Sequence, residues 1–421
     1  MKTDVVIVGA GGGGAVLGLA LAQKGVQTLV LEQAPGPPTG LRGEILQPNG
    51  QQILDRLGLL QRLPPEGVRS VRFFHFYRAG GERLCTIDYG MLPPPHNRAV
   101  VTLPNVAHHV ILDAFEERAP GCLWYETRFK GVLREGSRVT GLIAERGGQE
   151  VRIASRLVVG ADGAMSKVRE ALAIPAQLHL YREAYLITLL ENPDDVDEAR
   201  YFVGRRTILG TFPASKGRLY LFYMIPANTM PQIQAAGLEA LRNRWRAIDP
   251  TLAKVVANLV DWKQTAYMPT GRVRATTWVA NGAVLIGDPA HAMNPHASQG
   301  RMQAMMDAIA LSDVIPGLLE QGDGPATALH AFERQRRPHV EMLQRMADEQ
   351  VRFWNTGNPL IAHLRDRVFR TLDRNRRLRY QVLSATAGLR SEPPFGPVDR
   401  LIAAGLLPDP WSKRLPVEAS T

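Results

Sequence analysis

Apolar positions along the chain switch between two periods, and the switches mark its organisation. Val5-Val6-Ile7-Val8 is an unbroken apolar run of the kind a strand buried on both faces carries. Ala15, Val16, Leu19, Ala20 and Ala22 follow at helical spacing, Gly25 interrupts them, and residues 28–31 are apolar again. Strand, helix and strand are therefore predicted in succession. Residues 50–60 place Ile53, Leu54, Leu57 and Leu60 on one helical face. From Val71 to Tyr77 the period becomes two; a turn at Arg78-Ala79-Gly80-Gly81 and a return over 83–87 predict a β-hairpin. A helix is predicted over 105–118, a strand over 122–125, and a meander over 131–157. Residues 175–278 read mostly as strands with one helix over 237–249. Ala283 to Ile286 form a last buried strand, a long helix covers 302–319, and the chain from Phe332 onward is helical.

The turn inside the first strand–helix–strand unit carries chemistry. Gly9, Gly11 and Gly14 stand as G-x-G-x-x-G. The first glycine suits a tight turn, the second lets backbone approach a pyrophosphate, and the third lets the helix pack close to the sheet. Glu32, followed by Gln33, closes the second strand about twenty residues on, where a carboxylate can accept from adenosine ribose hydroxyls. Two further strand–turn units follow. One carries Asp162-Gly163, where the aspartate reads equally as a helix cap or a cofactor-side group. The other runs from Gly287-Asp288 through Pro289, Ala290 and His291 to Pro295-His296-Ala297-Ser298-Gln299-Gly300, and Asp307 lies early on the helix behind it. Arg42, in the loop after the second strand, reads by itself as a solvated arginine.

Composition narrows the class. At 421 residues the chain can hold two domains or one large composite. No apolar run approaches bilayer-spanning length, and the glycines interrupt the N-terminal apolar stretch, so neither an anchor nor a secretory signal is expected. Cys85 and Cys122 form no disulfide framework, which points to a reducing cytoplasm. His108 and His109 have no third ligand spaced with them, so no metal is expected. The net charge of +10 is weak evidence for nucleic acid, and none is expected as a partner. Arginine is concentrated near the C-terminus, where Arg365, Arg367, Arg370, Arg374, Arg376, Arg377 and Arg379 interleave with apolar residues. A solvated helix face is the simpler reading, and peripheral contact with the inner face of a membrane the sharper one.

The three signatures in this order resemble the FAD-dependent aromatic hydroxylases of the para-hydroxybenzoate hydroxylase class, group A flavoprotein monooxygenases, and especially their ubiquinone-biosynthesis branch. The resemblance implies an α/β fold in which a Rossmann-like FAD-binding domain is interleaved with a β-sheet substrate domain and followed by a helical C-terminal region. Its expected pieces are residues 1–70, 101–174 and 279–330 for FAD, 71–100 and 175–278 for substrate, and 331–421 for the helical region. It implies that Gly9, Gly11, Gly14, Glu32 and Gln33 hold the ADP half of FAD, with Asp162 and Gly163 near the pyrophosphate. Gly287 and Asp288 would meet the ribityl chain. Arg42, Pro295 and the stretch Ser298, Gln299, Gly300, Arg301 and Met302 would border the isoalloxazine. Ser298 and Arg301 depart from the family's usual Gly-Gln-Gly-Met-Asn. His291 joins His296 and Arg301 as a candidate to polarise a phenol; Arg42, Pro295, His296 and Arg301 form the expected catalytic set. The implied reaction consumes NADH or NADPH and O2, and hydroxylates an aromatic or quinone-like, apolar small molecule through a C4a-hydroperoxyflavin. A prenyl-chain reductase or epoxidase, and a lipid carrier on a relict FAD fold, are the alternatives. Oligomeric state is left open.

Overall fold

A computed structural model of the chain describes residues 1–41, 44–215, 217–320 and 327–415. Arg42 lies outside the described residues. The predicted strand–helix–strand unit forms as Lys2–Val8, Gly12–Gln23 and Thr28–Leu31. Its first strand sits centrally in an eight-stranded sheet, parallel to Thr28–Leu31 on one side and to Gln149–Gly160 on the other, with Val6 level with Leu29 and Val158. Ala283–Leu285 pairs in parallel with Gln149–Gly160 and completes the core of the sheet. Central strands carry near-continuous apolar runs where they are covered on both faces, and Val5, Val6 and Ile7 are fully buried. The meander does not stop at its predicted end: the strand Gln149–Gly160 pairs with Arg138–Arg146 and then runs on into the parallel sheet.

The aromatic hairpin forms as Phe73–Arg78 and Arg83–Asp88, at the edge of a second, seven-stranded sheet. It joins that sheet through a parallel pairing with Ala199–Gly204. Val71 does not belong to it. Val68–Val71 pairs instead with Ala99–Thr102 in a separate three-stranded sheet, and Arg72 marks the break, its guanidinium on Asp88 at 2.7 Å. One face of the seven-stranded sheet packs on the C-terminal helices through Phe76, Phe369, Leu378 and Leu383. The opposite face is closed by helix Leu238–Ile248, whose Trp245 is fully buried.

The helix Gly300–Glu320 is long and apolar enough by composition to cross a membrane, which the sequence reading did not anticipate. Most of it is buried inside the fold, against helices Gly12–Gln23, Pro48–Arg56 and Thr327–Trp354, so here it is a core helix. The arginine-rich end is helical as expected, in Pro359–Arg374 and Arg376–Thr386. It is not a uniformly solvated face. Arg365 is buried and donates to Asp366 and to the carbonyls of Gly204 and Trp354, while Arg377 pairs with Asp399 and Asp409.

Candidate active site

Three turns meet at the C-terminal ends of the parallel strands. At the first, Gly9 has φ +100°, and a methyl group on Gly14 would stand 1.9 Å from the Gly9 carbonyl oxygen, so neither position accepts a larger residue without movement. Glu32 accepts from the backbone N–H of Ala10 at 3.0 Å and of Ala34 at 2.9 Å, tying the turn to the end of the second strand. Gln33 is exposed beside it. At Gly11, by contrast, a methyl group would meet nothing within 4 Å. The helix that begins there has no side-chain cap and no acidic residue in its first turn. The open space at Gly11 lies beside the N–H groups and positive dipole end of this helix, an arrangement that accommodates a pyrophosphate. These residues fit FAD.

At the second turn the structure gives Asp162 the capping role. Its carboxylate accepts from Ser166 Oγ at 2.5 Å and from the N–H groups of Lys167 and Val168, at the start of helix Lys167–Ala171. The turn still abuts Gly9, since a methyl there would lie 3.1 Å from Asp162 Cα. Arg169 donates to the Pro289 carbonyl at 2.7 Å and so couples this turn to the third.

The third turn is held from behind. Asp307 is fully buried on the core helix and accepts from Gly287 N at 3.0 Å, His291 Nε2 at 2.5 Å and Arg336 Nε at 2.9 Å. Burial alone would raise its carboxyl; His291, Arg336 and the Gly287 N–H outweigh that and hold it below the ordinary carboxylate range. His291 is thus committed to this buried cluster. Gly287, at φ +65°, hands the chain to Asp288, whose side chain is exposed at the turn.

Beyond it, Pro295–Ala297 forms one turn of 3₁₀ helix capped by Asn294, and Ser298 adopts a left-handed conformation at φ 53° before Gly300 opens the core helix. A β-unbranched residue with a short polar side chain tolerates that region less well than the usual glycine. The Gln299 side chain is buried and faces the protein: it bonds Asn49, Gln303 and the Thr386 carbonyl, which leaves its backbone for any cofactor contact. Met302 packs its sulfur over Gly50. The two basic candidates have separate surroundings. Arg301 lies across Gly12, where a methyl would come within 2.8 Å of its Cγ, and its Nη2 is 3.3 Å from His108 Nδ1. His296 is buried against Trp354 with Nδ1 2.9 Å from Tyr185 Oη. Burial pushes the His296 imidazole down to about 3.

Asn49, Tyr185, Arg336 and Trp354 escaped the sequence reading. Arg336 sits in a charged run and Tyr185 in an apolar strand, and nothing in either local pattern separates them from surface and core residues.

A dinucleotide turn, an aspartate turn clamped from the core and an aromatic-walled sheet define the class as a two-domain flavoprotein. The sequence profile of the FAD binding domain family matches residues 2–347, and the chain belongs to that family. It is 30% identical over 374 residues to 6-methylpretetramide 4-monooxygenase from Streptomyces rimosus, covering 87% of this chain and 88% of the relative. Kynurenine 3-monooxygenase from Salinispora tropica is 27% identical over 442 residues, with 97% and 86% covered. Among solved structures, p-nitrophenol 4-monooxygenase from Pseudomonas putida superposes with a TM-score of 0.80 at 17% identity, covering 92% of this chain and 99% of that one. PqsL from Pseudomonas aeruginosa, in complex with 2-aminobenzoylacetate, gives 0.76 at 23%, with 86% and 99% covered. These last two share the fold. The protein is an FAD-dependent enzyme of the aromatic monooxygenase class, as the three signatures implied, and the reductase, epoxidase and carrier alternatives are the less supported ones.

Replacing Asp307 by Asn leaves Arg336 buried beside a neutral partner. Such a change costs about 3–5 kcal/mol, and the loosened Gly287 turn should raise the FAD dissociation constant by about tenfold or more; flavin fluorescence on dilution and urea unfolding measure both. Because its native pKa is lowered, the stability Asp307 contributes is complete above the ordinary carboxylate range and is lost as pH falls through the native value. His296 acts over a wider window. Its imidazole binds a proton at about 6.5 when unfolded and at about 3 in the fold, so the native state should lose stability as pH falls between those values. His296→Phe should flatten that slope by up to about one proton, read from unfolding free energies across the range.

Proposed function

We propose that the protein hydroxylates a planar, largely apolar aromatic or quinone-like small molecule that carries at least one ring oxygen. The observation that carries this reading is the junction at Pro295-His296, where the segment leading out of the Asp288 turn reaches the aromatic face of the seven-stranded sheet. FAD, when bound and reduced by NADH or NADPH, would supply the activation of O2, one atom of which would enter the ring while the other leaves as water. The chain's own contribution is to bind, orient and keep dry. The open turn at Gly11, with Glu32 and Asp288, would hold the dinucleotide extended across the strand ends. Tyr201, Phe222 and Trp354 offer aromatic faces that would fix a flat ring and exclude water from it. The activity named for the Streptomyces rimosus relative, on a pretetramide, favours a polycyclic substrate.

The purified protein should be yellow, and a panel of polycyclic phenols should contain compounds that accelerate NADH or NADPH oxidation with matching oxygen uptake and a product gaining one oxygen atom. A protein that binds FAD yet consumes NADPH without oxygen, reducing an alkene instead, would overturn the hydroxylase reading.

We further infer that the C-terminal surface meets an anionic membrane face, in keeping with a cytoplasmic enzyme taking an apolar substrate. Arg367, Arg370 and Arg374 line a cleft of about 440 Å³ with Leu407 and Ser412. Leu406, Leu407 and Trp411 are exposed next to it, 66%, 43% and 51% accessible. Basic side chains around exposed leucine and tryptophan favour lipid headgroups over nucleic acid. Co-sedimentation with phosphatidylglycerol vesicles should be strong at low salt and fall by about tenfold when Arg374, Lys413 and Trp411 are replaced by Ala; equal recovery with neutral vesicles would exclude the contact.

A further inference from the structure

Tyr185 and His296 come from positions 111 residues apart, yet their polar atoms meet at 2.9 Å in the interior. Among the described residues the Tyr185 hydroxyl makes no other hydrogen bond. A phenol O–H is a better donor than an imidazole N–H, so the tyrosine donates and His296 Nδ1 accepts. A neutral imidazole that accepts at Nδ1 carries its hydrogen at Nε2. Here Nε2 is buried and, among the described residues, has no partner. A donor left unpaired in apolar surroundings is costly until an acceptor arrives.

The surroundings indicate where that acceptor would come from. The His296 ring stands edge-on to Trp354 at 4.5 Å, and Trp354 packs in turn on Phe76, Tyr201 and Phe369. Trp354, the ring directly against the histidine, is itself only half-buried, so this aromatic wall is not sealed at His296. Burial, with the neighbouring Tyr201 and Glu183, keeps the Tyr185 hydroxyl protonated far above its ordinary range. The pair is therefore neutral throughout the working range, and the imidazole is a fixed donor rather than a base.

Resting on the aromatic hydroxylase reading, we propose that Tyr185 locks the tautomer of His296 so that Nε2–H donates to an oxygen on the substrate ring, a phenol, phenolate or ring carbonyl. His296 is then the residue that selects an oxygenated ring and sets its orientation, and Tyr185 positions it. An aromatic compound without that oxygen leaves the donor unpaired and binds less well.

The test has two arms on the FAD-loaded full chain. Nitrogen-15 NMR of histidine-labelled protein, with the His296 signals identified by their loss in His296→Phe, should show the Nε2–H tautomer unchanged from about pH 5 to about pH 8. Tyr185→Phe should give a mixture of tautomers. An Nδ1–H tautomer in the unaltered protein overturns the proposal. In the second arm, binding of 2-naphthol and 2-methylnaphthalene is read from perturbation of the flavin spectrum. The unaltered protein should prefer 2-naphthol, and His296→Phe should lower that preference by about tenfold while 2-methylnaphthalene binds much as before. His296→Gln, which keeps an N–H donor, should retain most of the preference and guards against a packing effect of the phenylalanine. Binding of both compounds with an unchanged preference overturns this proposal alone; binding of neither by the unaltered protein overturns the aromatic-ring reading beneath it.

Discussion

One buried carboxylate sets the geometry on which the rest depends. Asp307 has no solvent contact, and its three donors come from the glycine turn, from the helix that follows that turn, and from the next long helix. A charge in that position is stable only while all three partners are in place. Because Gly287 is one of them, the turn that presents Asp288 is fixed to the core helix rather than left to a loop. Arg336 extends the arrangement to Gln303, and Gln303 to Gln299, Asn49 and the Thr386 carbonyl. The segment from Pro295 to Met302 is thereby anchored on one side by a continuous polar chain inside an otherwise apolar packing. Buried networks that are fully satisfied specify one arrangement, which suits a site that must hold a reactive ring at a set distance from a cofactor.

The second constraint is the division of labour between two sheets. The parallel sheet supplies helix N-termini and tight turns, the features that bind phosphates, and its strands have no side chains to spare for substrate. The seven-stranded mixed sheet alternates its faces. One face is sealed by Trp245 and its helix, and the other sets Tyr185, Tyr201 and Phe222 toward the C-terminal helices and the Pro295 segment. Tyr185 from a strand, His296 from a 3₁₀ turn and Trp354 from a helix end converge there only in the folded chain.

The glycine turn of the first strand–helix–strand unit was legible from local pattern. A G-x-G-x-x-G turn can be read because its chemistry is backbone chemistry, and the need for glycine at Gly9 and Gly14 follows from clashes within one supersecondary unit. Other residues kept two readings until their neighbours were known. Asp162 proved to cap a helix, His291 to pair with Asp307, and Arg301 to lie over Gly12 beside His108. The arginines at the C-terminus separated in the same way: Arg365 is buried on Asp366 and two carbonyls, while Arg374 stays exposed.

Local pattern alone specifies the strand–helix–strand unit, the order of the three turns and the apolar faces of the principal helices, because each rests on interactions between residues close in the chain. Long-range packing brings Tyr185 to His296, lets Arg336 complete the Asp307 cluster and puts an apolar helix long enough for a membrane in the core. Those outcomes depend on contacts between distant segments and on burial, which changes the cost of a polar or charged atom without altering the local pattern around it.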